Sequence, residues 1–305
     1  MNVSFLGLGA IGAPMARHLA APPFTLAVWN RTAARAAALA SSSGARHALS
    51  PADAARGAAV VVTCLPTSKE VEALLGGEDG LLSAMTAGTT LVDCTSGDPA
   101  TSRRIAARLA ERGIGFVDAP VSGGTSGAEK GTLTVMCGGD PDTVARVRPV
   151  LEAFGEKILR CGDVGAGHAV KAVNQAMLAV HIWSLAEGLA SLEAAGVDTH
   201  LALDVINASS GRSNTSMNLF PERVMTRAFP RTFRLALLDK DARIAADFAR
   251  EHGIPAPITQ LVSELMRAAR RALGEEADHV EAARCVEAWA GVTIAGPRAD
   301  TETAP

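Results

Sequence analysis

Seven short apolar runs, separated by stretches with helical spacing, decide most of what this chain can fold into. They are Val3 to Gly7, Thr25 to Asn30, Val60 to Leu65, Thr90 to Cys94, Gly115 to Asp118, Leu133 to Cys137 and Lys157 to Cys161. Between most of them apolar residues recur one helical turn apart, as in Ile11-Met15-Leu19 and Ile105-Leu109. A strand that is apolar without alternation is covered on both faces, and helices between such strands make them parallel. The expected fold class is α/β: a doubly wound, Rossmann-type parallel sheet over residues 1–162.

After Gly167 the pattern changes. One helical stretch runs from Val170 to Ala195 without proline and ends at Gly196, and others follow over 200–209, 239–252 and 257–273. No strand pattern is evident there. Gly162-Asp163-Val164-Gly165 reads as the junction, with an all-helical domain over 163–295 and a polar, disordered tail over 296–305. Two domains also suit a length of 305 residues.

The net charge of −3 argues against nucleic acid or an anionic membrane as the main partner. No apolar run is long enough to span a bilayer, and Met1-Asn2 leads straight into the first strand rather than into a signal peptide. A cytoplasmic protein is expected. The five cysteines are scattered without a close pair, so no metal site is expected.

The first helix-forming turn carries Gly7-Leu8-Gly9-Ala10-Ile11-Gly12. Directly after an apolar strand and before a helix, this pattern points to a dinucleotide. Gly7 permits the tight turn, Gly9 a close backbone approach to the pyrophosphate, and Gly12 the packing of helix on strand. A binder of unphosphorylated NAD usually places an acid after the second strand, for the ribose 2′-hydroxyl. Here Asn30-Arg31-Thr32 stands there, and no acid occurs before Asp53. Arg31 reads either as a solvated surface cation or as the partner of a 2′-phosphate, with Asn30 and Thr32 as extra donors. With the acid missing, NADP is favoured and NAD stays possible.

Two further segments carry chemistry. Ser122-Gly123-Gly124 follows another strand, where it is either an ordinary turn or a hydroxyl and open N–H groups facing a substrate carboxylate. Lys171 and Asn174, three apart, share one face of the long helix. The lysine either snorkels to solvent or lies in a cleft, where desolvation would let it exchange a proton with a substrate oxygen. His181, farther along that helix, reads as a packing residue.

With these motifs in place the chain resembles the β-hydroxyacid dehydrogenases, and within them bacterial 3-hydroxyisobutyrate dehydrogenases. The likeness rests on the glycine loop, Leu65-Pro66, Asp93 to Pro99, Asp118 to Gly127, Gly165 to Gln175 and Leu238 to Asp241, in that order. It implies Lys171 as acid/base with Asn174 beside it, Ser122, Gly123 and Gly124 on the substrate carboxylate, and Leu65, Pro66, Ser96 and Lys240 against the cofactor. It also implies a small hydroxy acid or semialdehyde as substrate, and a homodimer or homotetramer. Two departures stand out. Gln175 replaces a second asparagine, and Gly97 replaces a more usual β-branched residue. Residues 210–214 and 223–230 favour the branched hydroxy acid over glyoxylate, succinic or tartronate semialdehyde. A dinucleotide-binding sensor without turnover is the rival of another class.

Overall fold

A computed structural model describes residues 1–295. All seven apolar runs are strands, joined by two short ones: β1 (Asn2–Leu6), β2 (Thr25–Trp29), β3 (Arg46–His47), β4 (Val60–Thr63), β5 (Thr90–Asp93), β6 (Gly115–Asp118), β7 (Val121–Ser122), β8 (Leu133–Gly138) and β9 (Gly155–Gly162). They form one sheet ordered β3-β2-β1-β4-β5-β6-β8-β7, with β9 beside β8. Strands β1 to β6 pair in parallel. The sheet is the expected Rossmann-type parallel one, with an antiparallel addition at one edge, where β8 runs against β6 and β7. At two residues each, β3 and β7 are too short to leave a period in the sequence.

Alternate residues of the parallel strands enter different cores, which is why these runs are apolar throughout. Phe5, Val28, Val62, Val92 and Val117 pack on one face, and Leu6, Val61, Leu91 and Phe116 on the other. The covering helices are α1 (Gly12–His18), α2 (Ala33–Ser43), α3 (Pro51–Ala55), α4 (Ser68–Leu75), α5 (Pro99–Ala110), α6 (Gly124–Lys130) and α7 (Pro141–Glu152). Ser50, Thr67, Asp98 and Asp140 cap four of them, satisfying backbone N–H groups that a helix start leaves open. The sheet order reverses between β1 and β4, the place where such sheets bind ligands beyond their carboxyl ends.

Helices α8 (Ala166–Ala194), α9 (Thr199–Asn207), α10 (Leu235–Glu251), α11 (Pro257–Leu273) and α12 (Ala283–Ala290), with a π-helical stretch over Thr215–Val224, build the second half. The chain forms two compact units that divide between Ala172 and Val173. The division falls inside α8, not at the glycines before it, because the first turns of that helix are tied to the sheet. The second unit packs around Trp183, Phe220, Leu238 and Met266. Among its described residues no strand occurs beyond a single bridge between Arg234 and Asp278.

Asp278, fully buried, organises that unit. Its carboxylate accepts from the Arg223 guanidinium at 3.0 Å and from the N–H groups of Thr232, Phe233 and Val280 at 2.9, 3.1 and 3.2 Å. Burial alone would raise this carboxyl. The hydrogen bond and charge of His279, with the N–H groups of Thr232 and Phe233, outweigh it and hold the carboxyl well below the usual range. The expected disordered tail lies outside the described residues, and no described helix is long and apolar enough to cross a membrane.

Candidate active site

The glycine loop is built as its spacing implies. Gly7 has φ +102°, and a Cβ there would lie 2.2 Å from the Cys64 carbonyl oxygen. A Cβ on Gly12 would lie 2.0 Å from the Gly7 carbonyl oxygen. Only glycine fits at either place. Gly9 differs, since a Cβ there would meet no protein atom within 4 Å. Gly9, Ala10 and Ile11 therefore turn partly or fully exposed backbone toward open space in front of α1. That opening suits a dinucleotide pyrophosphate, which needs close approach to backbone N–H groups.

The loop is held from the end of β2. Asn30 Oδ1 accepts from the Leu8 N–H at 2.9 Å, and Asn30 Nδ2 donates to the Thr32 carbonyl at 3.1 Å. Asn30 thus braces the loop, which its reading as an extra phosphate donor did not foresee. Arg31 and Thr32 are exposed beside it. Farther along the same edge of the sheet, Leu65 and Pro66 follow β4 and Ser96 follows β5. The Leu65 N–H donates to Thr95 Oγ1 at 3.1 Å. Asp93 Oδ1 in turn accepts from Thr63 Oγ1 at 2.9 Å and from the Thr95 N–H at 3.1 Å, joining the two strand ends.

After β7, Ser122 is half-buried, while Gly123 and Gly124 are exposed in left-handed conformations at φ +136° and +65°. Successive N–H groups in such a turn form a concave anion site. The last residue of β6, Asp118, starts α8. Its Oδ1 accepts from the Gly165 N–H at 2.7 Å and its Oδ2 from the His168 N–H at 2.9 Å. Gly167 lets the helix lie against the sheet, since a Cβ there would sit 2.1 Å from the Met136 carbonyl oxygen. One turn beyond this clamp stands Lys171, buried at 8% exposure.

The rest of the chain makes that lysine informative. Twenty-four of its cationic residues are arginines and only five are lysines: Lys69, Lys130, Lys157, Lys171 and Lys240. The first three are exposed, and Lys171 and Lys240 are buried. In an interior, a cation able to lose its proton differs from an arginine, which cannot.

The second unit holds Asn174 and Lys240. Asn174 is exposed on α8. Lys240, on α10, pairs with Asp241 Oδ1 at 2.9 Å, and Asp241 Oδ2 accepts from Gln175 Nε2 at 3.1 Å. The departure at Gln175 therefore has a structural use: its longer amide ties α8 to α10. Asp93, Asp118, Ser102 and His168 carry roles that the sequence reading did not assign. A charged residue closing an apolar strand run was the available sign for the two aspartates.

Comparison with known proteins fits both halves. Residues 2–162 match the model for the NAD-binding domain of 6-phosphogluconate dehydrogenase, and residues 165–286 that for the NAD-binding region of NADP-dependent 3-hydroxyisobutyrate dehydrogenase. The chain is 35% identical to 2-(hydroxymethyl)glutarate dehydrogenase of Eubacterium barkeri, covering 97% of this chain and 98% of that one. The chain belongs to the β-hydroxyacid dehydrogenase family. It is an NAD(P)-dependent hydroxyacid dehydrogenase. Identity to 3-hydroxyisobutyrate dehydrogenase of Pseudomonas aeruginosa is 34%, over 87% of this chain and 90% of that one. The structure of Mycobacterium tuberculosis 3-hydroxyisobutyrate dehydrogenase with L-serine superposes with a TM-score of 0.85 at 31% identity, covering 93% and 98% of the two chains.

Proposed function

We propose that this cytoplasmic enzyme interconverts 3-hydroxyisobutyrate and its semialdehyde, prefers NADP to NAD, and uses Lys171 as acid/base. The observation that carries the reading is a buried lysine one turn past the Asp118 clamp. The named relatives add a chemical pattern. 2-(Hydroxymethyl)glutarate, 3-hydroxyisobutyrate and L-serine each carry a CH2OH group on the carbon next to a carboxylate. Ser122, Gly123 and Gly124 would take that carboxylate, and Asn174 would orient the hydroxyl.

The dinucleotide, when bound, supplies the hydride acceptor or donor for the carbinol carbon. Gly7 to Gly12 would hold its pyrophosphate and Arg31 its 2′-phosphate, with Leu65, Pro66, Ser96 and Lys240 along its length. Lys171 takes the hydroxyl proton in oxidation and returns it in reduction. Burial of the lysine keeps bulk water from competing for that proton. Val173 and Met177 on α8, Leu201 and Val205 on α9, and Ile258 and Leu261 on α11 are exposed apolar side chains, which supports a homodimer or homotetramer.

Steady-state kinetics with both dinucleotides over 3-hydroxyisobutyrate, L-serine, 2-(hydroxymethyl)glutarate, and glyoxylate, succinic and tartronate semialdehydes tests the substrate. Preference for a semialdehyde without the branched carbon would overturn the assignment. No turnover with any of them would leave a dinucleotide-binding module. Lys171→Ala should lower kcat about 10³-fold while dinucleotide Kd holds. Arg31→Ala should weaken NADP about tenfold, roughly 1.4 kcal/mol, and leave NAD nearly unchanged.

A further inference from the structure

Between the cofactor-side strand ends and the start of α8 lies a buried polar line with no part in the proposed proton transfer. His168, wholly buried, has Nδ1 2.6 Å from Ser102 Oγ on α5. Its Nε2 faces Asp93 Oδ2 at 4.0 Å, and neither of those two atoms has a hydrogen-bond partner. The other oxygen of Asp93 holds Thr63 and Thr95, and Thr95 holds Leu65. On the helix side, the His168 N–H is clamped by Asp118, and Lys171 stands three residues on.

Space for the ring is made by one residue. A Cβ on Gly97 would lie 2.6 Å from His168 Cε1 and 2.5 Å from Ser68 Oγ. Any side chain at 97 would push the imidazole off its seat. Exposure at or below 1% for Ser102, His168 and Asp93 keeps substrate away from all three, so the trio performs no chemistry itself. An underused polar pair in a closed interior is costly unless the surrounding structure holds it there.

We propose that His168 is a positioning residue: through Asp93 it ties the start of α8, and with it Lys171, to the strand ends that hold the proposed cofactor contacts Leu65 and Ser96. Gly97 is its companion, the position whose missing side chain keeps the ring in register. This rests on the reading of Lys171 as acid/base, and the test separates the two.

Two amides divide the imidazole. Asparagine places its polar group near Nδ1 and keeps Ser102, whereas glutamine reaches the position of Nε2 and keeps Asp93. His168→Asn should lower kcat roughly tenfold to a hundredfold, with KM for the dinucleotide within a factor of two, and His168→Gln should restore most of the loss. Gly97→Val should reproduce the asparagine variant. Asp93→Asn should do likewise, and His168→Asn with Asp93→Asn should fall no further than either alone.

A second readout needs no turnover. With lysine labelled at its ε-carbon, the five lysines give few lines, and that of Lys171 is assigned by Lys171→Arg. The line should move in His168→Asn and Gly97→Val and stay in His168→Gln. An unmoved line in all three, or equal losses in the two amide variants, overturns the proposal. If the parent enzyme turns over no hydroxy acid, the function reading falls, while the Lys171 line still decides the role of His168.

Discussion

Two buried aspartates, one in each unit, live in opposite circumstances. Asp278 gathers a guanidinium, three backbone N–H groups and an imidazole, and its carboxyl is held down in spite of burial. Asp118 accepts two N–H groups at the start of α8, but burial dominates and pushes its carboxyl up against the pull of His168 and those bonds. The difference teaches where each unit spends its polar groups. The helical unit surrounds its carboxylate completely and uses it as a framework joint. The sheet unit leaves its strand-end carboxylates short of compensation, at the edge where ligand groups arrive.

Truncation should separate the two most widely. Asp278→Ala strands Arg223 and the N–H groups around it, so urea unfolding should show a loss of about 3–5 kcal/mol, with turnover per folded molecule nearly intact. Asp118→Ala removes a charge already held at a cost, so its stability loss should be smaller, about 1–3 kcal/mol. Its turnover should suffer more, because α8 loses its clamp. Equal stability losses would break the comparison.

Acidity sharpens it further. A lowered folded-state pKa gives Asp278 a contribution that is full above its unfolded value near 3.8 and lost as pH falls below it. A raised one gives Asp118 the reverse: its contribution is largest in acid and fades as pH rises through the folded value. Thermal unfolding between about pH 3 and pH 7 should therefore show the deficit of Asp278→Asn shrinking in acid and that of Asp118→Asn shrinking toward neutrality. Parallel curves would mean that the two environments are alike. The smallest effect belongs to Gln175→Ala, which removes the amide joining α8 to Asp241. About 0.5–1.5 kcal/mol is expected by calorimetry.

Periodic features were legible in the chain. Six of the seven strands show because both their faces are buried, and the glycine loop shows because Gly7 and Gly12 each lie against a backbone oxygen that excludes any side chain. Pairwise features were not. Nothing local marks Asn30 as the brace of Leu8, since the partners stand 22 residues apart. Ser102 and His168, 66 apart, meet only once the sheet is closed. The edge strand β7 hides because two residues carry no period, and a division inside a helix leaves no glycine or proline to mark it. Gly97 was visible as an oddity, but its meaning needed the ring of His168 beside it.

The shortage of lysine has a practical consequence. Lys69, Lys130 and Lys157, together with the amino terminus, all belong to the sheet unit, and the lysine of the helical unit is buried. Amine-coupled dyes, biotin or a sensor surface will therefore attach almost entirely through the sheet unit. Immobilised protein will keep the helical unit, with the exposed apolar side chains of α9 and α11, free of attachment chemistry and able to report association with a second copy. The same chemistry applied slowly will find Lys171 and Lys240 last, so protection of those amines by dinucleotide or hydroxy acid can be read as footprinting without any assay of turnover.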